Sequence, residues 1–324
     1  MPAAPSRRAQ WLLWTVPALW SSNYIIARAA EGVIAPHALA AGRWLLAAAV
    51  LLPFVAAVLW QHRAALRREA GQLLVLGFFG MYICGAWVYE AGRTTSSTNI
   101  ALIYAVTPMA IAAAGTWMLG ERMRPAQWLG VALALAGLLF VIARGEPARL
   151  LGVQFVAGDA WITACALSWT AYSVLLKRWP STLPPLARLV AIIGGGLVVL
   201  LPGALLEAVF APGPAWSWGA TGLVVVAAMV PGVLSYGAYS LLQRELGAAR
   251  TAMMLYLSPL YAAGLAWWLL GETPGWYHAA GAALILPSIW LATRGGPAQE
   301  SPAQAGPGDQ PKSPGAGTSS SSSA

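Results

Sequence analysis

Residues 99–130 read NIALIYAVTPMAIAAAGTWMLGERMRPAQWLG, and residues 250–281 read RTAMMLYLSPLYAAGLAWWLLGETPGWYHAAG. The two stretches start 151 positions apart and align without a gap. Thr107-Pro108 falls on Ser258-Pro259, Leu119-Gly120-Glu121 on Leu270-Gly271-Glu272, and Gly130 on Gly281. Each copy reads as an apolar helix interrupted by proline, a Gly-Glu turn, and a second apolar helix opened by Pro125 or Pro274, where a missing amide costs nothing. A long internal period of this kind signals a duplicated unit.

Working outward, the 324 residues are 58% hydrophobic and only 9% charged. An average soluble domain carries about 25% charged residues, so this chain lacks the polar surface to face water and belongs in a lipid bilayer. The apolar runs reach about 20 residues, the length a helix needs to cross a ~30 Å hydrocarbon layer. Ten helices are expected, at residues 11–28, 37–60, 71–92, 98–120, 125–143, 158–177, 185–209, 218–242, 249–271 and 274–293. The fold class is therefore all-α, ten transmembrane helices in two five-helix repeats. The organisation is a leader (1–10), a first repeat (11–143), a linker (144–157), a second repeat (158–294) and a Gly/Pro/Ser-rich disordered tail (295–324).

The net charge of +8 does not call for nucleic acid. In a membrane chain Lys and Arg set orientation. With the N-terminus in the cytoplasm, 14 of the 19 basic residues fall on the cytoplasmic side and 5 on the other. Both termini are then cytoplasmic, in a multi-pass protein of a bacterial-type inner membrane. Five helices per half is an odd number, so the second repeat enters from the opposite face and the repeats are inverted.

Two five-helix halves, each closing with a proline-broken helix, Leu-Gly-Glu and a small-residue-rich last helix, resemble the EamA-type carriers of the drug/metabolite transporter superfamily. The resemblance spans about Trp11 to Arg294. It implies a substrate carrier with a central cavity between the halves, in many cases an exporter of amino acids or other small metabolites.

Candidate site residues come from polar and aromatic groups at mid-helix. Most of the 17 Trp fall near helix ends, as an interfacial belt does; Trp20, Trp87 and Trp169 do not. Trp20, Asn23 and Tyr24 share one helical face, as do Trp169, Tyr172 and Ser173. Tyr82 with Tyr89, Tyr236 with Tyr239, and Tyr104 with Thr107 form further faces, and Tyr256 lies one turn before Pro259. As a set they read as a cavity wall; singly, each also fits as core packing. Trp20 and Trp169 are expected to border one pocket.

Arg43 lies about 9 Å inside the second helix, from the 1.5 Å rise per residue, and an ionisable group at such depth is a functional candidate. Its alternative is a structural ion pair, Arg43–Glu90 or Glu90–Arg93. Pro108 and Pro259 each displace a helical hydrogen bond and are the candidate hinges for alternating access. Thr107 and Ser258 could instead repair those breaks by bonding back into their own helices. Glu121, Asp159, Glu207 and Glu272 read as helix-end caps.

Cys84 and Cys165 lack metal spacing, and the three His residues are scattered, so neither metal nor cofactor is expected. The expected activity is export of small metabolites, amino acids or related amphipathic or aromatic compounds. Multidrug efflux of lipophilic cations is the alternative, through cation–π contacts. A lipid-modifying enzyme would need a His/Asp/Glu cluster at one membrane face, which the sequence lacks. The partners are the bilayer and a small-molecule substrate. Small-residue seams (Gly130 and Ala134; Gly275, Ala279 and Ala283) suit either internal packing or a homodimer face.

Overall fold

The computed structural model describes residues 6–293 apart from 96, 122, 271 and 272. The tail (295–324) and Glu272 lie outside the described residues. The described chain is helical, with no strand. Its segments join into α1 (Arg7–Ala30), α2 (Pro36–Gln61), α3 (Arg63–Gly92), α4 (Ser97–Ala105 and Thr107–Leu119), α5 (Pro125–Ile142), α6 (Ala157–Arg178), α7 (Pro185–Phe210), α8 (Trp218–Leu246), α9 (Ala248–Ala252, Met253–Leu257 and Ser258–Leu270) and α10 (Trp276–Thr293). Six of these, α2, α3, α4, α5, α7 and α8, are long and apolar enough to cross a membrane. In α1 and α6 the apolar run is diluted by Ser21, Ser22 and Asn23, and by Ser168, Thr170 and Ser173.

The packing pattern survives exchange of each helix with the one five places on. The most extensive contact is α5 on α10, and α2 likewise packs on α7. The helix α3 packs on α6 and α7, as α8 packs on α1 and α2; α4 meets α6 and α9, as α9 meets α1 and α4. The halves therefore interlock rather than sit side by side.

Local breaks also recur. In α4 the helix is interrupted at Val106 and restarts at Thr107 with Pro108 in its first turn. In α9 a 3₁₀ stretch, Met253–Leu257, precedes the restart at Ser258, and the amide of Ser258 bonds to the carbonyl of Leu255, the group Pro259 cannot serve. Two helices carry π segments, Phe78–Trp87 in α3 and Ala228–Leu234, with Pro231 inside it, in α8. Neither was legible in advance.

Glycines set the closest approaches. A Cβ on Gly77 of α3 would lie 2.1 Å from the backbone nitrogen of Gly196 in α7. On α5 the seam packs inward: Gly130 and Ala134 are buried, and a Cβ on Gly137 would lie 3.0 Å from the carbonyl of Gly281 on α10. The α10 stripe is different. Ala279 and Ala283 face outward, and Gly281, Ile285 and Ile289 form the inner face.

Overpacking at such a contact costs about 1–3 kcal/mol. Gly77→Ala should therefore lower the thermal midpoint by several degrees in detergent. Gly71→Ala, where an added Cβ meets nothing within 4 Å, should leave it unchanged or raise it through helix propensity. Equal midpoints for both variants would show that α3 and α7 do not touch at Gly77.

Candidate functional site

A cavity of about 810 Å³ lies between the halves, lined by residues of α1 through α9, with Leu138 from α5 and Glu207 from α7. It reaches the exposed turns at Glu31-Gly32 and Pro212-Gly213, so its mouth is at the end of the molecule where α1 and α7 finish. No residue from the opposite end of the bundle lines it.

The π segment of α3 explains how the walls are held. A π turn is wider than an α turn and leaves carbonyls with poorly matched helical donors. Four of these accept side-chain bonds from neighbouring helices. Trp44 Nε1 donates to Met81 O (3.1 Å), Ser168 Oγ to Phe79 O (2.8 Å), Tyr236 Oη to Gly80 O (2.8 Å), and Cys165 Sγ to Ile83 O (3.5 Å). Helices α2, α6 and α8 are thereby pinned to α3 at the cavity's deep end.

Arg43 sits in this wall, 3% exposed. Its Nη2 donates to Pro231 O, in the π segment of α8, at 3.2 Å. Its Nη1 donates to Asn23 Oδ1 (3.5 Å) and Tyr89 Oη (3.4 Å), and Tyr89 Oη donates to Asn23 Oδ1 at 2.8 Å. The guanidinium carbon lies 4.5 Å from the ring centre of Trp44. Of the two ion pairs expected at this depth, the structure forms Glu90–Arg93, at 3.1 Å and near the rim. Arg43–Glu90 is not made, because Glu90 turns to its own-helix neighbour. Among the described residues Arg43 has no carboxylate within 4 Å.

Three buried polar atoms on cavity-lining residues have no hydrogen-bond partner: Arg43 Nε, Thr107 Oγ1 and Trp169 Nε1. Thr107 thus does not repair its helix by bonding back. All three atoms can donate, they come from α2, α4 and α6, and a buried unsatisfied donor costs about 1–3 kcal/mol.

Aromatic rings close the deep end. Trp20 meets Trp169 edge to face at 5.1 Å and Tyr236 at 5.8 Å, and Tyr239 lies 5.1 Å from Trp20. Trp20 and Trp169 both border the cavity, together with Asn23, Arg43, Tyr89, Tyr104, Tyr236 and Pro259. Other expected site residues lie elsewhere. Tyr172 and Tyr239 are fully buried behind the aromatic floor, and Tyr256 is fully buried in α9. Tyr82 packs on His37 at 6.0 Å and on Trp87, which meets Trp161 at 4.9 Å. The π segment is the cause: it shifts the register between positions 82 and 89, so two residues that share an α-helical face no longer do. Pro108 is buried beside the wall, and the side chain of Tyr24 lies outside the described residues.

Three acidic residues act as caps, two of them across the halves. Glu207, at the end of α7, accepts from the amides of His37 (2.9 Å) and Ala38 (3.0 Å), at the start of α2 by the mouth. Asp159 accepts from the amide of Val156, the residue before α6, and from Asn99 Nδ2 of α4 at 2.7 Å. Glu121 does not cap α5, the helix that follows it. Its oxygens accept from Ala248 N (2.9 Å) and Ala249 N (3.0 Å), opening α9 at the closed end. Gly247, at φ +85°, makes room: a Cβ there would lie 2.7 Å from Glu121 Oε1.

The sequence model of the EamA-like transporter family matches residues 8–143 and 156–294. An uncharacterized transporter of Bacillus subtilis (strain 168), YyaM, is 26% identical over 275 residues, covering 84% of this chain and 89% of the relative. A protein of Salmonella typhimurium named probable amino-acid metabolite efflux pump is 25% identical, covering 88% and 95%. The aromatic amino acid exporter YddG of Ancylobacter novellus is 25% identical over 216 residues, covering 66% and 71%. One solved crystal structure superposes with a TM-score of 0.71 at 23% identity, over 88% of this chain and 96% of the other, a likeness of fold.

Breaking a buried ion pair by removing one partner costs about 3–5 kcal/mol. Arg43 has no such partner, so Arg43→Gln should cost less than that, about 1–3 kcal/mol for the bonds to Pro231 O, Asn23 and Tyr89 that it gives up, and adding Glu90→Gln should give a simple sum within about 0.5 kcal/mol. Thermal unfolding of the two single variants and the double variant measures this. Rescue of a strongly destabilised Arg43→Gln by Glu90→Gln would mean that the two residues pair after all.

Proposed function

The chain belongs to the EamA-like transporter family, and from that premise we propose that it exports small organic carboxylates, foremost amino acids with aromatic or amphipathic side chains, by alternating access. It is a membrane carrier and not an enzyme. In this reading all ten helices cross the membrane as two inverted repeats. The charge split puts both termini in the cytoplasm and the cavity mouth outside, an outward-facing state.

The observation that carries the substrate class is the wall chemistry. A buried guanidinium without a carboxylate, and two further donors without acceptors, suit an anion that brings its own acceptor oxygens. Beyond Arg43, the rings of Trp20, Trp169 and Tyr236 offer an apolar bed for the rest of the molecule. The names of the Salmonella and Ancylobacter relatives agree with that class. In the deep wall the buried charge is that of Arg43, which weighs against lipophilic cations there, whereas the lining carboxylate of Glu207 stands by the mouth and is taken up by the start of α2. The helix breaks at Thr107-Pro108 and Ser258-Pro259 are the places where α4 and α9 would bend as the halves rock.

Reconstituted protein should carry labelled phenylalanine, tryptophan or related acids. A charge-assisted hydrogen bond contributes about 1.5–3 kcal/mol, so Arg43→Gln should weaken carboxylate transport about 10- to 100-fold at unchanged expression. Trp20→Ala and Trp169→Ala should raise KM without preventing insertion. Wild-type carboxylate transport by Arg43→Gln would sink the assignment.

Orientation is checked separately. With Cys84 and Cys165 replaced, single cysteines at Arg67 and at the exposed Trp216 should react with impermeant reagents from opposite faces. Reaction of both from one face would defeat the inverted-repeat reading.

A further inference from the structure

One side chain decides how much of the Arg43 charge the cavity sees. Asn23 of α1 lines the cavity three residues beyond Trp20. An arginine can only donate, so the atom that Asn23 turns to Arg43 Nη1, 3.5 Å away, is its carbonyl oxygen. The same Oδ1 accepts from Tyr89 Oη at 2.8 Å, and Tyr89 Oη accepts in turn from Arg43 Nη1 at 3.4 Å. Arg43 is 3% exposed and is held on its other sides by Pro231 O at 3.2 Å and by the ring of Trp44 at 4.5 Å. Helices α1, α2 and α3 thus meet at one oxygen atom of position 23.

Both partners of that oxygen are donors, one of them cationic, which is the environment that suits a carboxylate. Aspartate has the shape of asparagine and would place an anionic oxygen 3.5 Å from Arg43 Nη1, within ion-pair range. The chain has an amide there instead. Its carbonyl takes up the two donors and brings no charge. The carboxylates that line the cavity stand elsewhere: Glu31 is at the exposed mouth turn, and Glu207 is engaged by the amides of His37 and Ala38. Glu90 bonds to Arg93. The guanidinium is therefore positioned by a neutral partner, and its Nε has no acceptor. A carboxylate at position 23 would supply, from inside the wall, the charge that an anionic ligand otherwise brings.

We infer that Asn23 is the residue that sets the charge selectivity of the cavity. It positions Arg43 through a neutral oxygen, leaves the positive charge for the ligand, and so selects anionic groups over cationic ones. Aspartate at the same position cancels that charge and removes the preference. That the selected anion is the carboxylate of a transported substrate rests on the proposed function; the sign of the cavity's selectivity does not.

The test reads the charge of the cavity first and transport second. In full-length protein with Cys84 and Cys165 replaced, Ala27→Cys places a thiol on the cavity wall one turn from Asn23. Its rate with the anionic sulfonatoethyl methanethiosulfonate is divided by its rate with the cationic trimethylammonium analogue, each normalised to a free thiol in solution. Asn23→Asp should lower this ratio about tenfold, and so should Arg43→Gln, as the loss of one net positive charge near the thiol requires in a partly dry cavity. Asn23→Leu, which removes the hydrogen bonds and adds no charge, should leave the ratio within about twofold of its starting value. In proteoliposomes Asn23→Asp should slow phenylalanine about 10- to 100-fold, the worth of a charge-assisted bond, and should not slow phenethylamine, which has the same ring and amine without the carboxylate. Should Asn23→Asp fail to insert, Asn23→Cys is alkylated after folding with iodoacetate, which adds a carboxylate, or with iodoacetamide as the neutral control; only the first should slow phenylalanine. A ratio unmoved by Asn23→Asp, an equal fall with Asn23→Leu, or a thiol at position 23 that neither alkylating reagent reaches would each overturn the inference. If the ratio falls as expected while the unsubstituted protein carries no carboxylate, the substrate reading fails and the selectivity assignment stands. If Arg43-dependent phenylalanine transport persists undiminished in Asn23→Asp, the role of Asn23 alone falls.

Discussion

A backbone carbonyl that loses its helical donor in apolar surroundings must find another, because no water is there to take its place. That constraint governs the middle of this molecule. The π segment of α3 presents four carbonyls to side chains from α2, α6 and α8, and the π segment of α8 presents one to Arg43. In α1 and α9, Ser21 Oγ lies 2.7 Å from Pro17 O and 2.8 Å from Ser258 O. Most of these bonds tie helices of different halves, and that from Trp44 to Met81 O ties α2 to α3 within the first half.

The cavity follows from the same ties. Arg43 reaches the carbonyl of Pro231 only because α8 is irregular there, and the reach places its guanidinium in the wall between Trp44 and Asn23. Taking a cation out of water without a carboxylate is unfavourable by several kcal/mol. Carbonyl, hydroxyl and π contacts offset part of that, and the unpaired Nε shows that they do not complete it. An arrangement that is nearly satisfied is suited to a ligand that must bind and leave.

The ends of the bundle obey a complementary rule. Amides at a helix start need acceptors, and here two helices take carboxylates from the other half: Glu207 serves α2, and Glu121 serves α9. One tie stands by the mouth and the other at the closed end, so movement of the halves has to strain or release them.

Much of this architecture was legible in the residue order. The apolar runs, the gapless repeat of residues 99–130 at 250–281 and the two X-Pro interruptions declare duplicated helices with a break in each. Trp20 and Trp169 stood out because mid-helix tryptophans with polar company have little use for lipid, and they do meet across the cavity floor. These are properties of period, composition and near neighbours, which act within a turn or two of helix. The pairing of Glu90 with Arg93 rather than Arg43, the displacement of Tyr82 from Tyr89, and the capping of α9 by Glu121 were decided by the tertiary structure alone. A π turn changes which side chains share a face, and the acceptor of a buried amide is whichever carboxylate the packing brings within 3 Å. Both depend on contacts between segments distant in sequence, 37 to 156 residues apart in the bonds described above, about which local pattern carries no information.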